Sequence, residues 1–462
     1  MKNNKWGLLI LTTFVVGNMV GGGIFMLPAQ LAQVSSPLGA TMAWIVTGLG
    51  VFLIALVFGN LAVRKPDLKA GPQSYAQSLF KSPVKGRFAG YSMAWGYWAA
   101  NWAATASVII SFAGYLSTFF PVMHSTKVLY TAGSFDLELG KALTFGVCSL
   151  ALWGIHFILV RSFNGAGKLN LVATVTKVIG FLFFIIVTIF IFDSSNLGDG
   201  AEFYNEAGTA FSLGSQINNA AISTLWAFIG IEAAVMLSNR AKSQNDVKKA
   251  TIIGLLIAVA IYIGITILTM GALSQEELRA SQKPLVDALQ TVTGSSGTYL
   301  MGALAVICLL GSTIGWVVVA SEVPYQAAKS DIFPAYFAKA NKNGTPVRSM
   351  TVTNLMTQLF LFSTISGTIL VAYKFSMIVA TLAYLVPYLV STLYQFKLVL
   401  TGETYDIMKG SRTRDGIITF LALIYSIWVI KTGTADMETF MLGIYLYVLG
   451  FVLYPLWMRK RA

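Results

Sequence analysis

Long apolar runs separated by short polar stretches repeat along this chain, each about the length of one membrane crossing. A transmembrane helix needs about 20 mainly apolar residues. Twelve segments qualify, at roughly 6–33, 39–63, 88–120, 142–160, 169–192, 214–239, 250–273, 297–325, 349–371, 375–400, 416–431 and 439–457. The pattern predicts an all-α integral membrane protein with one membrane domain over 1–462. No low-complexity or linker stretch divides it. No cleavable signal peptide is evident: the first segment lacks a small-residue cleavage site and is too long for an h-region.

A few glycine and polar positions break the apolar pattern. Gly21-Gly22-Gly23 sits in the middle of the first segment. Each glycine costs a helix roughly 1 kcal/mol against alanine, so the triplet predicts local unwinding. In a bilayer, unwound backbone is tolerated only where it is buried in protein or lines a wet cavity. The triplet therefore marks either a close helix crossing or a binding site. A half-helix starting there would aim free N–H groups and a positive dipole end into mid-membrane, which suits a carboxylate.

The sixth segment reads Ser223-Thr224-Leu225-Trp226-Ala227-Phe228-Ile229-Gly230-Ile231-Glu232. A glycine and a carboxylate at mid-span predict a second interruption, and an intramembrane carboxylate points to a pathway or proton relay. The two interruptions stand five segments apart and run in opposite directions. Five helices repeated in inverted topology, over about 6–193 and 214–400, put both breaks at the midplane. That is the pattern of a secondary transporter's binding site, and it selects the site over the crossing. Segments over about 416–457 are peripheral.

Other segments add candidates. Tyr97, Asn101 and Thr105 share one helix face at i, i+4, i+8. The aromatic run Trp95-Gly96-Tyr97-Trp98 reads as mostly facing lipid or neighbouring helices. Lys177 lies too deep in the fifth segment for easy snorkelling, so it is functional or neutralised by a partner. Glu322 either stays hydrated at the end of the eighth segment or pairs with Lys177. Pro387 frees a backbone carbonyl and predicts a kink.

Composition fits this class. Apolar residues make up 56% and charged ones 11%, against about 25% charged in soluble chains. The net charge of +13 suggests nucleic acid, but its distribution does not. With the N-terminus inside, 25 of the 32 Lys/Arg fall in cytoplasmic segments, including Arg459-Lys460-Arg461. Six lie outside (Lys127, Lys141, Arg279, Lys283, Lys374, Lys431) and one within a helix. This positive-inside bias predicts a multi-pass protein of the cytoplasmic membrane with both termini cytoplasmic. The partners are lipid and a small molecule rather than nucleic acid. Outer loops collect Asp193, Asp199, Glu202 and Glu206. Cys148, Cys308, His124 and His156 lack metal spacing, and no P-loop, nucleophile elbow or HExxH occurs. The chain is read as a non-enzyme without metal or cofactor.

The stretch Gly17-Asn18-Met19-Val20-Gly21-Gly22-Gly23-Ile24-Phe25-Met26-Leu27-Pro28 carries a resemblance, together with Trp95–Trp98 and Trp226–Glu232. So do Ser238–Lys242, Gly311–Trp316 and Val386-Pro387-Tyr388. Over nearly its whole length the chain resembles the amino acid–polyamine–organocation superfamily, basic amino acid/polyamine antiporter branch. Leu61–Pro66 and the fifth-segment lysine look most like arginine/ornithine antiporters. The resemblance implies a LeuT-like fold of 12 helices, with a 5+5 inverted repeat and alternating access. It places the substrate carboxylate on Gly21, Gly22 and Gly23, with Met19 in the same substrate-binding set. Carbonyls of Trp226, Ala227 and Ile229 would meet the α-amino group. Trp226 would gate and Trp316 would stack on the substrate side chain. Tyr97, Asn101, Lys177, Glu232 and Tyr388 would form the gating and proton-linked set, with Lys177 and Glu232 the relay of a proton-coupled importer. Lys177 would replace the sodium ion of Na⁺-coupled relatives.

The chain departs from arginine/agmatine antiporters where an Asn and a Ser hold the guanidinium: here those positions read Thr105 and Ala380. The expectation is an antiporter exchanging a basic amino acid such as arginine for ornithine or a related product. An amino acid/amine exchanger (histidine/histamine, tyrosine/tyramine, agmatine/putrescine) and a proton-coupled importer stay open, as does a homodimer.

Overall fold

The computed structural model describes residues 5–68, 71–133, 135–197, 201–204, 209–281, 283–367, 369–406, 410–433 and 437–458. Asp199, Glu206 and Arg459-Lys460-Arg461 lie outside them. The helices are α1 (Leu8–Met19), α2 (Gly22–Val34), α3 (Pro37–Arg64), α4 (Pro72–Leu79), α5 (Pro83–Leu116), α6 (Leu139–Arg161), α7 (Phe163–Ile189), α8 (Leu213–Phe228) and α9 (Ala233–Met236). They continue as α10 (Gln244–Ala272), α11 (Gln275–Ala280), α12 (Pro284–Lys329), α13 (Val347–Leu361), α14 (Ser363–Ser366), α15 (Ile369–Thr401), α16 (Arg412–Gly433) and α17 (Met437–Met458). The antiparallel pair β1 (Val128–Ala132) and β2 (Phe135–Glu138) follows α5, in a stretch read from sequence as loop.

Ten spans among the described residues are long and apolar enough to cross a membrane, counting α1–α2 and α8–α9 as one each. The ninth expected segment is divided into α13 and α14, neither of them that long, and α17 carries a shorter apolar core, Gly443–Pro455. The two spans of lowest mean hydropathy, α5 and α8–α9, are also the two most buried, at 89% and 83%. Their polar atoms have protein to face, so they need not be apolar all round. α6 and α7 turn more apolar surface outward and are 33% buried.

α5 packs on α12 and α15, α1 on α7 and α10, and α8 on α2 and α3. The breaks are thus surrounded by helices. The aromatic run of α5 faces protein too: Trp95 donates to the Leu446 carbonyl (2.7 Å) and Trp98 to Thr353 Oγ1 (2.8 Å). Pro387 cannot donate to the carbonyl of Ala383, and the Tyr447 hydroxyl fills that vacancy at 3.4 Å. Gly96 makes the approach feasible, since a Cβ there would overlap the Tyr447 ring.

Candidate functional site

The first break falls where the glycines predict it. α1 ends at Met19 and α2 begins at Gly22, and the Gly21 N–H turns back to the Met19 carbonyl at 2.7 Å. Gly21 therefore cannot serve the carbonyl of Gly17, four residues back, which is left to other donors. Lys177 supplies one, donating from Nζ to the Gly17 oxygen at 3.0 Å and also to Ser312 Oγ. Trp316 supplies another, its indole N–H reaching the Asn18 oxygen at 3.2 Å. On the other side, the first amides of α2 (Gly22, Gly23, Ile24) have no helical acceptor by position. The cap residue Gly21 gives no side-chain bond and the first turn holds no acid. This is a donor-rich end suited to an anion.

The second break lies against the first. α8 ends at Phe228, Ile229 is extended, and Gly230 has φ +107° before α9 begins at Ala233. A Cβ on Gly230 would stand 2.8 Å from Asn18 Cβ and 3.1 Å from the Met19 nitrogen. Only glycine gives both that φ and that approach. A Cβ on Gly23 would likewise meet Trp226 Nε1 at 2.9 Å, so the Trp226 ring lies over the α2 end.

The carbonyls of the second break are largely satisfied within the protein. The Trp226 oxygen accepts from the Ile229 N–H (3.1 Å) and the Ala227 oxygen from the Tyr262 hydroxyl (2.5 Å). Of the three carbonyls expected to meet an α-amino group, Ile229 alone shows no such bond. The other two would offer only a second lone pair.

Glu232 is fully buried and held on both sides: Tyr97 donates to Oε1 and Tyr388 to Oε2, each at 2.7 Å, and the Gly230 N–H reaches Oε2 at 3.3 Å. One carboxylate thus joins α5, α15 and the second break. Trp226 and Trp316 face each other with planes 15° apart and centroids at 6.5 Å. Tyr384 stands edge-on to Tyr97 (5.2 Å) and to Trp316 (6.3 Å). Asn101 and Thr105 bond down their own helix, to the carbonyls of Tyr97 and Asn101, and Asn101 Oδ1 is buried without a partner. Met19, Thr105 and Ala380 are buried in the same core.

Comparison with known proteins gives the family. A family model described as amino acid permease matches residues 7–453. The chain belongs to the amino acid permease family. It is 54% identical, over 98% of its length and 97% of the relative's, to a Bacillus subtilis protein provisionally named an arginine/ornithine antiporter. It is 32% identical to the arginine/ornithine antiporter of Pseudomonas aeruginosa, over 98% of this chain and 91% of that one. An arginine/agmatine antiporter of Chlamydia trachomatis is 34% identical, over 97% and 89%. The chain is a transporter rather than an enzyme.

Two features of this permease escape sequence reading. Glu322 pairs with Arg240, whose Nε donates at 2.7 Å, and not with Lys177. That pair closes a clasp: Trp6 donates to the Arg240 carbonyl and accepts from the Lys242 N–H, both at 2.8 Å. Trp6 is thereby pinned to the segment that follows α9. The second feature is a stripe on α15. Tyr373 accepts from Trp226 Nε1 at 3.1 Å, and Tyr384 touches Trp316. Ser376 and Ala380 fall between them on the same face, at i+3 and i+7 from Tyr373. Ser376 Oγ and Tyr384 Oη are both buried without a partner. Ala380 brings no polar group, but one turn to either side a free hydroxyl does. The i, i+3, i+7, i+11 spacing was visible in the sequence. Only the contacts with both tryptophans tie it to the site.

Proposed function

We propose that this permease is an amino acid antiporter of the cell membrane that exchanges arginine for ornithine or a related product of its catabolism. The observation that carries the reading is the seating of Gly230 on Asn18–Met19, which brings the donor-rich α2 end against the break that carries Glu232. The α2 amides bind the substrate carboxylate. The Ile229 carbonyl receives the α-amino group, and Trp226 and Trp316 flank the side chain. The names of the relatives supply the substrate class. Alternating access follows from a LeuT-like 5+5 inverted repeat of twelve spans in a single domain, α13–α14 forming one span and α16–α17 the peripheral pair. Both termini are cytoplasmic, following the lysine and arginine bias of the loops.

Counterflow tests the exchange directly. Proteoliposomes loaded with unlabelled ornithine take up labelled arginine faster than empty ones; equal rates sink the antiporter reading. Loading with agmatine instead separates the amine exchangers, whose substrate has no carboxylate for the α2 amides. Trp226→Ala and Trp316→Ala abolish uptake, and near-normal uptake in both overturns the pocket.

A further inference from the structure

Away from the breaks, a groove of about 800 Å³ opens on the outer surface where the α4–α5 corner meets α15 and α17. Phe80, Val84 and Phe88 form one wall, Val386 and Val390 a second, and Phe451 a third. Phe80, Val84, Phe88 and Phe451 are exposed. Lys85 is the one charged residue in the lining. Lys81, next to the lining residue Phe80, is also exposed, whereas Arg87, two residues on from Lys85, falls on another face of α5; no ion pair of the described residues involves Lys81 or Lys85. Lys397, also at this corner, spends its charge on the carbonyls of Ser78 and Leu79.

The segments that line the groove are poor in acids. Residues 68–135 contain neither Asp nor Glu, and neither does α15. The acid of α17, Glu438, lies thirteen residues before Phe451, about 20 Å along a helix. An apolar trough ending in exposed positive charge with no ion pair among the described residues matches one partner chemistry: a hydrocarbon chain attached to an anion. Basic pockets between membrane helices bind acidic lipid headgroups for this reason. A second copy of this chain fits worse. Across a two-fold axis the same patch meets itself, bringing Lys81 and Lys85 against their own equivalents.

We propose that the groove seats an anionic phospholipid, with an acyl chain along Val84, Phe88 and Phe451 and the phosphate on Lys85 with Lys81 next to it. This stands apart from the transport reading, since the groove shares no residue with the breaks. Native mass spectrometry of the full chain in detergent tests it, with phosphatidylglycerol, phosphatidylcholine and glycerol phosphate as probes. Phosphatidylglycerol adducts persist at concentrations where the other two leave none. Lys81→Gln and Lys85→Gln together weaken them, by roughly fivefold per charge. Ala89→Trp, which fills the groove, removes them with the charges intact. Both charged side chains are exposed, so the double variant keeps its melting temperature and decides the matter even where Ala89→Trp does not fold.

Equal binding of phosphatidylglycerol and phosphatidylcholine, or adducts indifferent to the double variant, overturns the proposal. So does full competition by glycerol phosphate, which makes the chain irrelevant. A dimer abolished by Ala89→Trp while lipid adducts remain assigns the groove to a second copy.

Discussion

The two helix breaks touch, yet they are finished by opposite means. At the first, the freed carbonyls of Gly17 and Asn18 are capped by side chains from distant helices, Lys177 and Trp316, and the amides of α2 are left open. At the second, the carbonyls of Trp226 and Ala227 are already taken, and the distinctive group is a carboxylate gripped by two tyrosines. A break that offers donors reads as the ligand end. A break that ties α5 to α15 reads as a mechanical joint. The difference also gives each glycine a separate job: Gly21 has φ −113° and ordinary contacts of 3.4 Å or more, whereas Gly230 has φ +107° and none to spare.

Substituting both glycines tests that contrast most severely. Gly230→Val loses about 1–3 kcal/mol to the positive φ alone and a comparable amount to overpacking against Asn18, so it fails to accumulate as folded protein. Gly21→Ala folds, with a melting temperature close to wild type. If Gly230→Val also melts normally, the second break is not locked on the first.

Lys177→Met comes next. It leaves the Gly17 oxygen buried without a donor, at about 1–3 kcal/mol. The expected result is a lower melting temperature and reduced uptake at every pH. A variant of normal stability whose pH profile alone has moved would make the lysine a proton site instead of a cap.

Glu232→Gln keeps the shape and one acceptor but weakens a charged hydrogen bond to a neutral one, a loss of about 1 kcal/mol. Exchange slows while substrate affinity holds, because the joint and not the ligand end has changed. A raised KM with unaltered turnover would place Glu232 on the substrate.

The smallest effect falls on the α15 stripe. Ser376→Ala removes a hydroxyl that has no protein partner, so stability changes by under about 0.5 kcal/mol. The KM for the cationic substrate rises several-fold if that oxygen faces the ligand. An unchanged KM for both arginine and ornithine excludes it.

The apolar runs alone determined the helical membrane class, the places of both breaks and the carboxylate inside the second. These are local matters: a glycine triplet weakens a helix enough for it to break there, at Val20–Gly21 with Gly22 and Gly23 already in α2, and a charge within an apolar run demands a partner. The partners were another matter. Whether Glu322 answered Lys177 or Arg240 depended on how α7, α12 and the chain start lie together, and residues eighty or more apart meet only through that packing. The same holds for Trp316, whose indole caps a carbonyl 298 positions earlier in the chain. It holds again for Ser376, whose place between two tryptophans is set by how α15 crosses α8 and α12. Periodicity gives the face of a helix; only the packing of the other helices says what that face meets.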